Sequence, residues 1–294
     1  MAIVGRTGAT SASFRRSRWL LTAVLALYFV YTFIPLFYVI AASTKTNPDL
    51  FSTFGLWFSS DFHLFENLRD LFAQDRGAFS RWLGNSFFYA LCAGVGAALV
   101  STLAGYAFSK YDFAGKRFVY ALVLGAVMIP QTALVIPLFL MLSNIKLLDT
   151  PWAVILPQLV FPQGVFLMRA YIDDAVSNEI IDAGRVDGAG EFRIFSTLAF
   201  RLITPAVSTV FVLAFVAAWN NYFLPLVVLN SSEHFPITVG LANWYASAAG
   251  GSGGSLLYTV VMAGSLVSIV PVILAFLLIQ RFWTGGLATG AVKT

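Results

Sequence analysis

The stretch Arg169–Thr204, RAYIDDAVSNEIIDAGRVDGAGEFRIFSTLAFRLIT, is a polar segment in a chain that is otherwise mostly apolar. It contains four arginines and six carboxylates, and long apolar runs lie on both sides of it. A charged connection between two membrane-like runs is typical of a segment that lies in water and docks onto another protein. The position of this segment therefore governs how the remaining sequence is interpreted.

The composition indicates an integral membrane protein. The chain has 294 residues, of which 59% are hydrophobic and 11% are charged, whereas soluble domains are about 25% charged. The single cysteine, Cys92, lies within an apolar run, so neither a disulfide framework nor a thiol-rich metal site is expected. The net charge of +4 is modest and does not indicate a nucleic-acid partner.

Six apolar runs are near the length of about 20 residues that a helix needs to cross about 30 Å of hydrocarbon. The first is too long for the apolar core of a cleavable signal, which is about 7–15 residues. We predict an all-α membrane protein with six transmembrane helices in residues 19–280 and tails at 1–18 and 281–294. The runs are Trp19–Ala42, Ser86–Ser109, Phe118–Leu142, Pro151–Met168, Pro205–Leu229 and Leu256–Ile279.

Two of the runs have distinctive residues. The fourth contains Pro151, Pro157 and Pro162, which predicts a kinked or broken span. Such a span is a candidate wall of a translocation path, or its kink serves packing alone. The second run contains small residues that favour close helix–helix packing in a membrane. These are Gly94, Gly96, Ala97, Ala98, Ser101 and Gly105.

The distribution of basic residues predicts the orientation. With the N-terminus in the cytoplasm and six crossings, thirteen Lys and Arg lie on the inside and five on the outside. This bias follows the positive-inside rule. It places both termini and Arg169–Thr204 in the cytoplasm, with a short cytoplasmic helix between the fourth and fifth spans.

No internal source of energy is evident in the sequence. The six runs contain no Asp, Glu, Lys, Arg or His, which argues against a proton-coupled carrier and more weakly against sodium coupling. The glycine run Gly250–Gly254 lacks the Gly-Lys-Ser/Thr ending of a phosphate-binding loop and is expected to be a flexible turn. With no catalytic or metal-binding cluster in view, the chain is expected to be non-catalytic and to be driven through its cytoplasmic surface.

The polar segment itself predicts two helices. Ser177 can cap a helix that begins at Asn178, and Gly188 can adopt the left-handed conformation that ends it. A helix of about ten residues is too short to be stable alone in water, so it must pack on its own fold or on a partner. A second helix leads to Pro205, which suits the first turn of the fifth span. Its apolar stripe is expected to be Phe192, Phe195, Ala199 and Leu202.

A family resemblance is carried by the same residues. Asp182-Ala183-Gly184, followed after three residues by Gly188 and after nine more by Leu198-Ala199-Phe200, resembles the EAA motif of ABC importer permeases. That motif runs Glu-Ala-Ala, three residues, Gly, nine residues, Ile-x-Leu-Pro. The chain departs from it at Asp182, at Gly184 and at Arg201, which replaces the closing proline. The wider block Arg185–Ala189 resembles the Arg-Ile-Asp-Gly-Ala that is usual in this family. Two further stretches, Ala218–Phe223 and the tail Gln280–Lys293, resemble the carbohydrate-uptake branch that includes the smaller maltose-type permease.

The resemblance covers nearly the whole chain from Trp19 and implies an assembly. Residues 19–280 would be a permease domain of a bacterial inner membrane, with a coupling loop at 169–204 and a coupling helix at about Asn178–Gly188. The partners implied are a homologous second permease, two cytoplasmic ATPase subunits that bind ATP and Mg²⁺, an extracytoplasmic solute-binding protein and a sugar. No cofactor or metal is implied in this chain itself. The residues expected to serve ATPase coupling are Glu179, Asp182, Ala183, Gly184, Asp187 and Gly188.

Candidates for the substrate path are side chains that offer an aromatic face or an amide. Each could equally well hydrogen-bond between helices. The outer loop Asn230–Ser255 is a candidate contact for the binding protein. A permease for a non-sugar solute and an ion-coupled carrier are the alternatives. The path candidates are Trp219, Asn220, Asn221 and Tyr222 on the fifth span, and Gln158 and Gln163 on the fourth.

Overall fold

The computed structural model describes residues 10–250 and 257–286, and within these two ranges the secondary structure is helical, with no strand. The predicted all-α class is confirmed. Part of each predicted tail, and all of the glycine run except Gly250, lie outside the described residues. The chain divides into two compact units, one formed by residues 1–71 and 247–266 and the other by residues 72–246 and 267–294.

The helices follow one another through short connections. Three short segments have other helical geometry: 3₁₀ turns at Gln74–Arg76 and Gln131–Leu134, and a π-helical turn at Ile194–Ala199. The α-helices are α1 Thr10–Ser43, α2 Asn47–Ser52, α3 Leu64–Ala73, α4 Ala78–Lys110, α5 Lys116–Val127, α6 Val135–Asn144, α7 Pro151–Gln158, α8 Pro162–Ala175, α9 Asn178–Val186, α10 Glu191–Arg193, α11 Phe200–Trp219, α12 Phe223–Val228, α13 Ile237–Ala249 and α14 Leu257–Gly286.

By length and apolar character, the described residues hold five helical segments that could cross a membrane. A sixth arises if the pair Lys116–Val127 and Gln131–Asn144, which meet at a bend of 103°, is one broken span. The number therefore reaches the predicted six only through this bent pair. The five segments are Arg18–Ser43, Ala78–Lys110, Pro151–Ala175, Glu191–Trp219 and Leu257–Leu277.

Three of the predicted span limits are wrong. The third run is not one straight helix, because the chain breaks before Pro130. The second helix begins at Ala78 instead of Ser86. The fifth predicted span, Pro205–Leu229, corresponds to a helical segment that runs from Glu191 to Trp219. Hydropathy marks only the apolar part of a helix, whereas 33 residues of α4 reach about 50 Å at about 1.5 Å per residue. That length exceeds the hydrocarbon thickness, so charged residues occupy the helix ends.

The first unit contains a hydrogen-bonded cluster after α1. Lys45 is fully buried, and its ammonium group donates to Thr53 Oγ1 and to the carbonyl oxygen of Phe54, both at 2.8 Å. The Asn67 amide donates to the carbonyl oxygens of Ser43 and Lys45 at 2.8 and 2.9 Å. The segment that contains α2 and α3 is thus fixed to the end of α1 through hydrogen bonds to backbone carbonyl groups.

The second unit is built on close contacts of α4 with α8 and α11. A Cβ atom placed on Gly105 would lie 2.6 Å from Cβ of Met168 on α8, and one on Gly94 would lie 3.1 Å from the ring of Phe211 on α11. Only glycine allows backbones to approach so closely. The small residues predicted to mediate helix packing do so here, within the chain.

The fourth span is broken, as its prolines predict. Helix α7 ends at Gln158 and α8 begins at Pro162, with Phe161 in a non-helical conformation between them. The Ser101 hydroxyl on α4 donates to the carbonyl oxygen of Phe161 at 3.3 Å. A neighbouring helix therefore supplies a hydrogen-bond partner for one of the backbone carbonyl groups at the break.

The apolar stripe predicted for the helix before Pro205 is right at Ala199 and at Phe195, which packs on the core, but wrong at Phe192 and Leu202. Phe192 is 82% exposed and Leu202 is 41% exposed, whereas Ile194, Ala199 and Ile203 are fully buried. The π turn explains the difference, because its hydrogen bonds join residues five apart and shift the buried face by one residue. A helical period of 3.6 residues therefore fails across this turn.

We expect Gly164→Ala to destabilise the second unit. Its Cβ would lie 2.5 Å from Ser101 Oγ, 2.7 Å from the Phe161 ring and 2.8 Å from Val210 Cγ1, and overpacking of this kind costs about 1–3 kcal/mol. Gly125→Ala on α5 is the matched control, because a Cβ there meets no atom within 4 Å. Thermal unfolding in detergent should show a lower Tm for Gly164→Ala alone. Equal Tm values for the two variants would contradict the packing described here.

Candidate functional site

The predicted coupling helix corresponds to α9, Asn178–Val186. It starts after Ser177, as predicted, and Gly188 follows it with a φ of 78°, the left-handed conformation that glycine adopts without penalty. The hydroxyl of Ser177 does not cap a backbone amide of the helix. Instead, Ser177 forms a hydrogen bond with the Glu179 carboxylate, and this bond is the main reason that the pKa of Glu179 is lowered.

Helix α9 presents one face to the fold and another to solvent. Ile181 and Gly184 are buried against the second unit, whereas Glu179, Asp182 and Asp187 are exposed. Of the remaining candidates, Ala183 and Gly188 are exposed as well. Five of the six predicted coupling residues are therefore accessible to a partner, and the sixth, Gly184, packs inward.

A charged cluster ties α9 to the start of the next helix. Arg185 Nε donates to Glu191 Oε1 at 2.8 Å, and Arg185 Nη1 donates to Asp182 Oδ1 at 3.1 Å. The Tyr111 hydroxyl, at the end of α4, donates to Glu191 Oε2 at 2.8 Å. Glu191 and Tyr111 were not among the predicted site residues, because their sequence separation of 80 residues gives no local signal.

The titration of this cluster follows from its contacts. Hydrogen bonds from Arg185 and then Tyr111 lower the pKa of the Glu191 carboxyl, since they stabilise its charged form. Burial, followed by the hydrogen bond to Glu191, raises the pKa of Tyr111 to about 12. At neutral pH the cluster therefore consists of a guanidinium, a carboxylate and a neutral phenol.

A cavity of about 400 Å³ lies where three helical segments of the second unit are broken. One wall is the break between α7 and α8, another is the bend between α5 and the 3₁₀ turn that begins at Gln131, and the third is the end of α11. This volume falls in the range of small-molecule sites, about 300–1,000 Å³. Its polar lining residues are Gln131, Thr132, Gln158, Gln163 and Asn221.

The two glutamines of the fourth span differ in this cavity. The side-chain amide of Gln158 donates to the carbonyl oxygen of Val154 at 2.8 Å, one turn back on α7. The Oε1 atom of Gln163 is buried and has no hydrogen-bond partner. A buried acceptor without a partner costs about 1–3 kcal/mol, so Gln163 differs from Gln158 in having an unused acceptor beside the cavity.

The candidates on the fifth span are separated by the structure. Helix α11 ends at Trp219, so Asn220, Asn221 and Tyr222 follow the helix instead of lying within it as predicted. Asn221 lines the cavity. The Asn220 amide donates to its own helix at Val216, 2.9 Å away, and Tyr222 is 40% exposed.

Trp219 lies outside the cavity lining. It is 3% exposed, its indole N–H donates to the carbonyl oxygen of Ser268 on α14 at 3.2 Å, and its ring stacks on Phe215 at 6.0 Å. These contacts match the packing role that the sequence left open for this residue. Gln131 and Thr132, which do line the cavity, were missed. The signal for them was Pro130, the proline that breaks the third span.

The loop after α12 is held by side chains from two directions. The Asp149 carboxylate accepts hydrogen bonds from the backbone N–H groups of Asn230 and Ser231, both at 2.9 Å. Hydrogen bonds from Ser231 are the main cause that lowers the pKa of Asp149 well below its usual range. On α4, Trp82 and Tyr89 donate to the carbonyl oxygens of Ser232 and His234. The start of the predicted outer contact loop is thus an ordered segment, and it continues into α13.

Within residues 10–250 and 257–286 there is no group of three or more His, Cys, Asp or Glu side chains that could hold a metal ion. The described residues form a cavity at three helix breaks in a membrane domain, and a short exposed helix, α9, that follows α8 in the sequence. Those features define the class of membrane transport components.

Comparison with known proteins identifies the family. Residues 94–284 match the model of the binding-protein-dependent transport system inner membrane component, and the chain belongs to this family. It is 34% identical to an arabinooligosaccharides transport system permease of Halalkalibacterium halodurans, over 94% of this chain and 96% of that protein. It is 31% identical to a lactose transport system permease of Rhizobium radiobacter, over 92% and 94% of the two chains.

A solved structure shows the same fold. It belongs to a bacterial ABC transporter involved in the import of the acidic polysaccharide alginate, and it matches with a TM-score of 0.78 and 23% identity. The match covers 94% of this chain and 99% of the other. The resemblance to importer permeases inferred from the sequence is confirmed, and this family consists of transport permeases, in agreement with a non-catalytic chain.

The charged cluster predicts a pH-dependent stability of α9. Glu191→Gln should speed backbone hydrogen exchange in Asn178–Gly188 at neutral pH, because it removes the anion that Arg185 and Tyr111 hold. Since the pKa of Glu191 is lowered in the fold, its stabilisation is present above the usual value of 4.5 and disappears as pH falls through the folded value. The difference between variant and parent should therefore vanish in acid, after correction for intrinsic exchange rates.

Glu233→Gln is the control for this experiment, because Glu233 lies in the loop after α12 and not in the cluster. It should leave exchange in Asn178–Gly188 unchanged. Unaltered exchange in Glu191→Gln at neutral pH would show that the cluster does not stabilise α9.

Proposed function

We propose that this protein is the membrane-spanning permease subunit of an ATP-binding-cassette importer that carries a carbohydrate. The observation that carries the proposal is the pairing of a cavity at three broken helical segments with the exposed helix α9 in a chain of this family. The chain has no recognised ATP-binding motif, so the energy would come from partner ATPase subunits that bind ATP and Mg²⁺.

Relatives support a carbohydrate as the cargo. The permeases most similar to this chain include those named for arabinooligosaccharides, lactose and galactooligosaccharides, and they match over more than nine-tenths of its length. A related permease is named for sn-glycerol-3-phosphate, so a polyhydroxylated non-sugar is the second candidate. The cavity suits a neutral carbohydrate better than an anion, because its polar groups are amides and a hydroxyl, without charge.

The assembly would resemble that of other importers of this kind. A homologous second permease would complete the pore, two ATPase subunits would bind the cytoplasmic loops, and an extracytoplasmic binding protein would deliver the solute. The loop that Asp149, Trp82 and Tyr89 hold in place is our candidate contact for that binding protein. The charge bias of the loops supports a cytoplasmic position for both termini and for α9.

Transport would proceed by alternating access. Closure of the ATPase pair would move α9, which is fixed to the end of α4 through the Arg185–Glu191–Tyr111 contacts. Helices α4, α8 and α11 pack closely at glycines of α4 and α8, so they would move as one body and change the side to which the cavity opens. The Gln163 acceptor and the Asn221 amide would contact solute hydroxyls along the way.

Gly188→Pro should uncouple ATP hydrolysis from uptake. Proline fixes φ near about −65°, whereas Gly188 has a φ of 78°, so the turn after α9 cannot form. Gly190→Ala is the matched control, because Gly190 has a φ of −70° and open space around it. In proteoliposomes that contain the whole importer, Gly188→Pro should hydrolyse ATP with little uptake, and Gly190→Ala should behave as the parent. Asp182→Lys should uncouple as well, since it replaces one of the two carboxylates that accept hydrogen bonds from Arg185 with a like charge.

Uptake by this chain in the absence of any ATPase subunit would overturn the proposal in favour of an ion-coupled carrier. Sodium or proton gradients applied to the same vesicles give the direct comparison. Uptake that follows a gradient and ignores ATP would identify that alternative.

Gln163→Leu should slow uptake more than Gln158→Leu does. The first variant removes an acceptor without a partner in the protein, whereas the second removes an amide already bonded to its own helix. Loss of one net hydrogen bond, about 1 kcal/mol, corresponds to about a fivefold slower uptake at subsaturating solute. Radiolabelled uptake, normalised to assembled complex, measures the difference. Equal rates for the two variants would exclude Gln163 as a solute contact.

A further inference from the structure

The π-helical turn Ile194–Ala199 joins α10 to α11, in the stretch of chain that leads from α9 into the membrane-spanning helix. A π turn contains one residue more than the α-helical turn it replaces, and such turns occur frequently at functional sites. The hydroxyl of Thr197 donates to the carbonyl oxygen of Arg193 at 2.5 Å, and the hydroxyl of Ser196 lies 3.5 Å from the same oxygen. Side chains therefore help to satisfy the carbonyl at the start of the wide turn.

Helix α9 packs on this turn at Gly184. A Cβ atom on Gly184 would lie 3.1 Å from Ile194 Cγ1 and 3.1 Å from Leu198 Cδ1. Ile194 is fully buried, and Gly184 is one of the positions at which the chain departs from the Glu-Ala-Ala pattern. Even a methyl group here would require Ile194 and Leu198 to shift by a few tenths of an ångström, so a larger side chain would disturb the contact of α9 with the π turn.

The opposite side of the turn contacts α4. The ring of Phe195 meets the ring of Tyr106 edge to face, with centroids 4.9 Å apart, and Tyr106 contacts Tyr111 in the same manner at 5.8 Å. The buried Tyr106 hydroxyl has no hydrogen-bond partner. The π turn thus touches both elements, α9 and the end of α4, that the Arg185–Glu191–Tyr111 contacts join from outside.

We propose that the π turn is a positioning element that sets the orientation in which α9 faces the ATPase, and that α9 packs on this turn through Gly184. The extra residue rotates the part of the chain before the turn by about 100° and displaces it by about 1.5 Å relative to a continuous α-helix. That orientation buries Ile194 in place of Phe192 and leaves the carboxylates of α9 facing outward. This inference rests on the proposed function of α9 in coupling.

Deletion of Ser196 tests the inference, because it removes one exposed residue from the turn and allows a continuous α-helix. Ser196→Ala is the matched control, since it keeps the length and removes only the hydroxyl. In the assembled importer, spin labels at Val186→Cys on α9 and Phe118→Cys on α5 report the position of α9, with Cys92→Ala as background. Both labelled sites are exposed, at 88% and 68%.

The deletion should shift the distance between the two labels and lower the ratio of solute moved to ATP hydrolysed at least about fivefold, the lower end of typical coupling effects. Ser196→Ala should change neither quantity. Gly184→Leu should reproduce the deletion, while Gly190→Leu, at a glycine with open space around it, should not. Gly184→Leu and Gly190→Leu both keep the chain length, so this pair separates an effect of the orientation of α9 from an effect of a shorter chain.

An unchanged label distance in both the Ser196 deletion and Gly184→Leu would overturn the positioning role of the π turn. A shifted distance with a parental coupling ratio would overturn the inference as well, and it would also count against α9 as the coupling element. Gly188→Pro decides between these readings, because it tests α9 without altering the π turn.

Discussion

Backbone groups that lie at membrane depth must find hydrogen-bond partners, since hydrocarbon supplies none. This constraint explains why the breaks of the second unit occur together. The break between α7 and α8, the bend near Pro130 and the end of α11 all border one cavity, where protein surrounds them. At the first of these, Ser101 on α4 donates to the Phe161 carbonyl. A broken helix facing lipid would leave such groups unpaired at a cost of several kcal/mol each.

The breaks are possible only because the intact helices around them are tightly packed. Glycines on α4 and α8 bring backbones close enough that added methyl groups would overlap Met168, Phe161 or Val210. Dispersion contacts at such short range are numerous, so the packed helices provide a rigid wall. Closely packed helices around a region of broken helices are the arrangement expected of a protein that must open its cavity to either side of the membrane without unfolding. In the proposed mechanism, the same rigidity would carry a displacement at α9 to the cavity.

Much of this fold follows from patterns along the sequence. Apolar runs gave the class and most of the helices, prolines predicted the broken fourth span, and Gly188 predicted the end of α9. The errors share one cause. Hydropathy indicates whether a stretch of chain lies in an apolar environment, but it does not indicate where the backbone hydrogen bonds of a helix begin and end. It could not show that α4 extends eight residues beyond the apolar run or that α11 ends at Trp219. Nor could a 3.6-residue period anticipate the π turn, which changes the buried face from Phe192 to Ile194.

The sequence by itself determined that this chain is an all-α membrane protein, that its charged segment Arg169–Thr204 contains a short helix ended by glycine, and which family it belongs to. These features depend on local chemistry, such as apolar length, backbone freedom and motif spacing. Only the tertiary structure decided which polar residues meet. It placed Gln163 and Asn221 at one cavity, buried Trp219 away from that cavity's lining, and joined Arg185 to Glu191 and Tyr111. Such contacts depend on helix ends, helix rotation and close glycine packing, which are fixed only when all the neighbouring helices are in place.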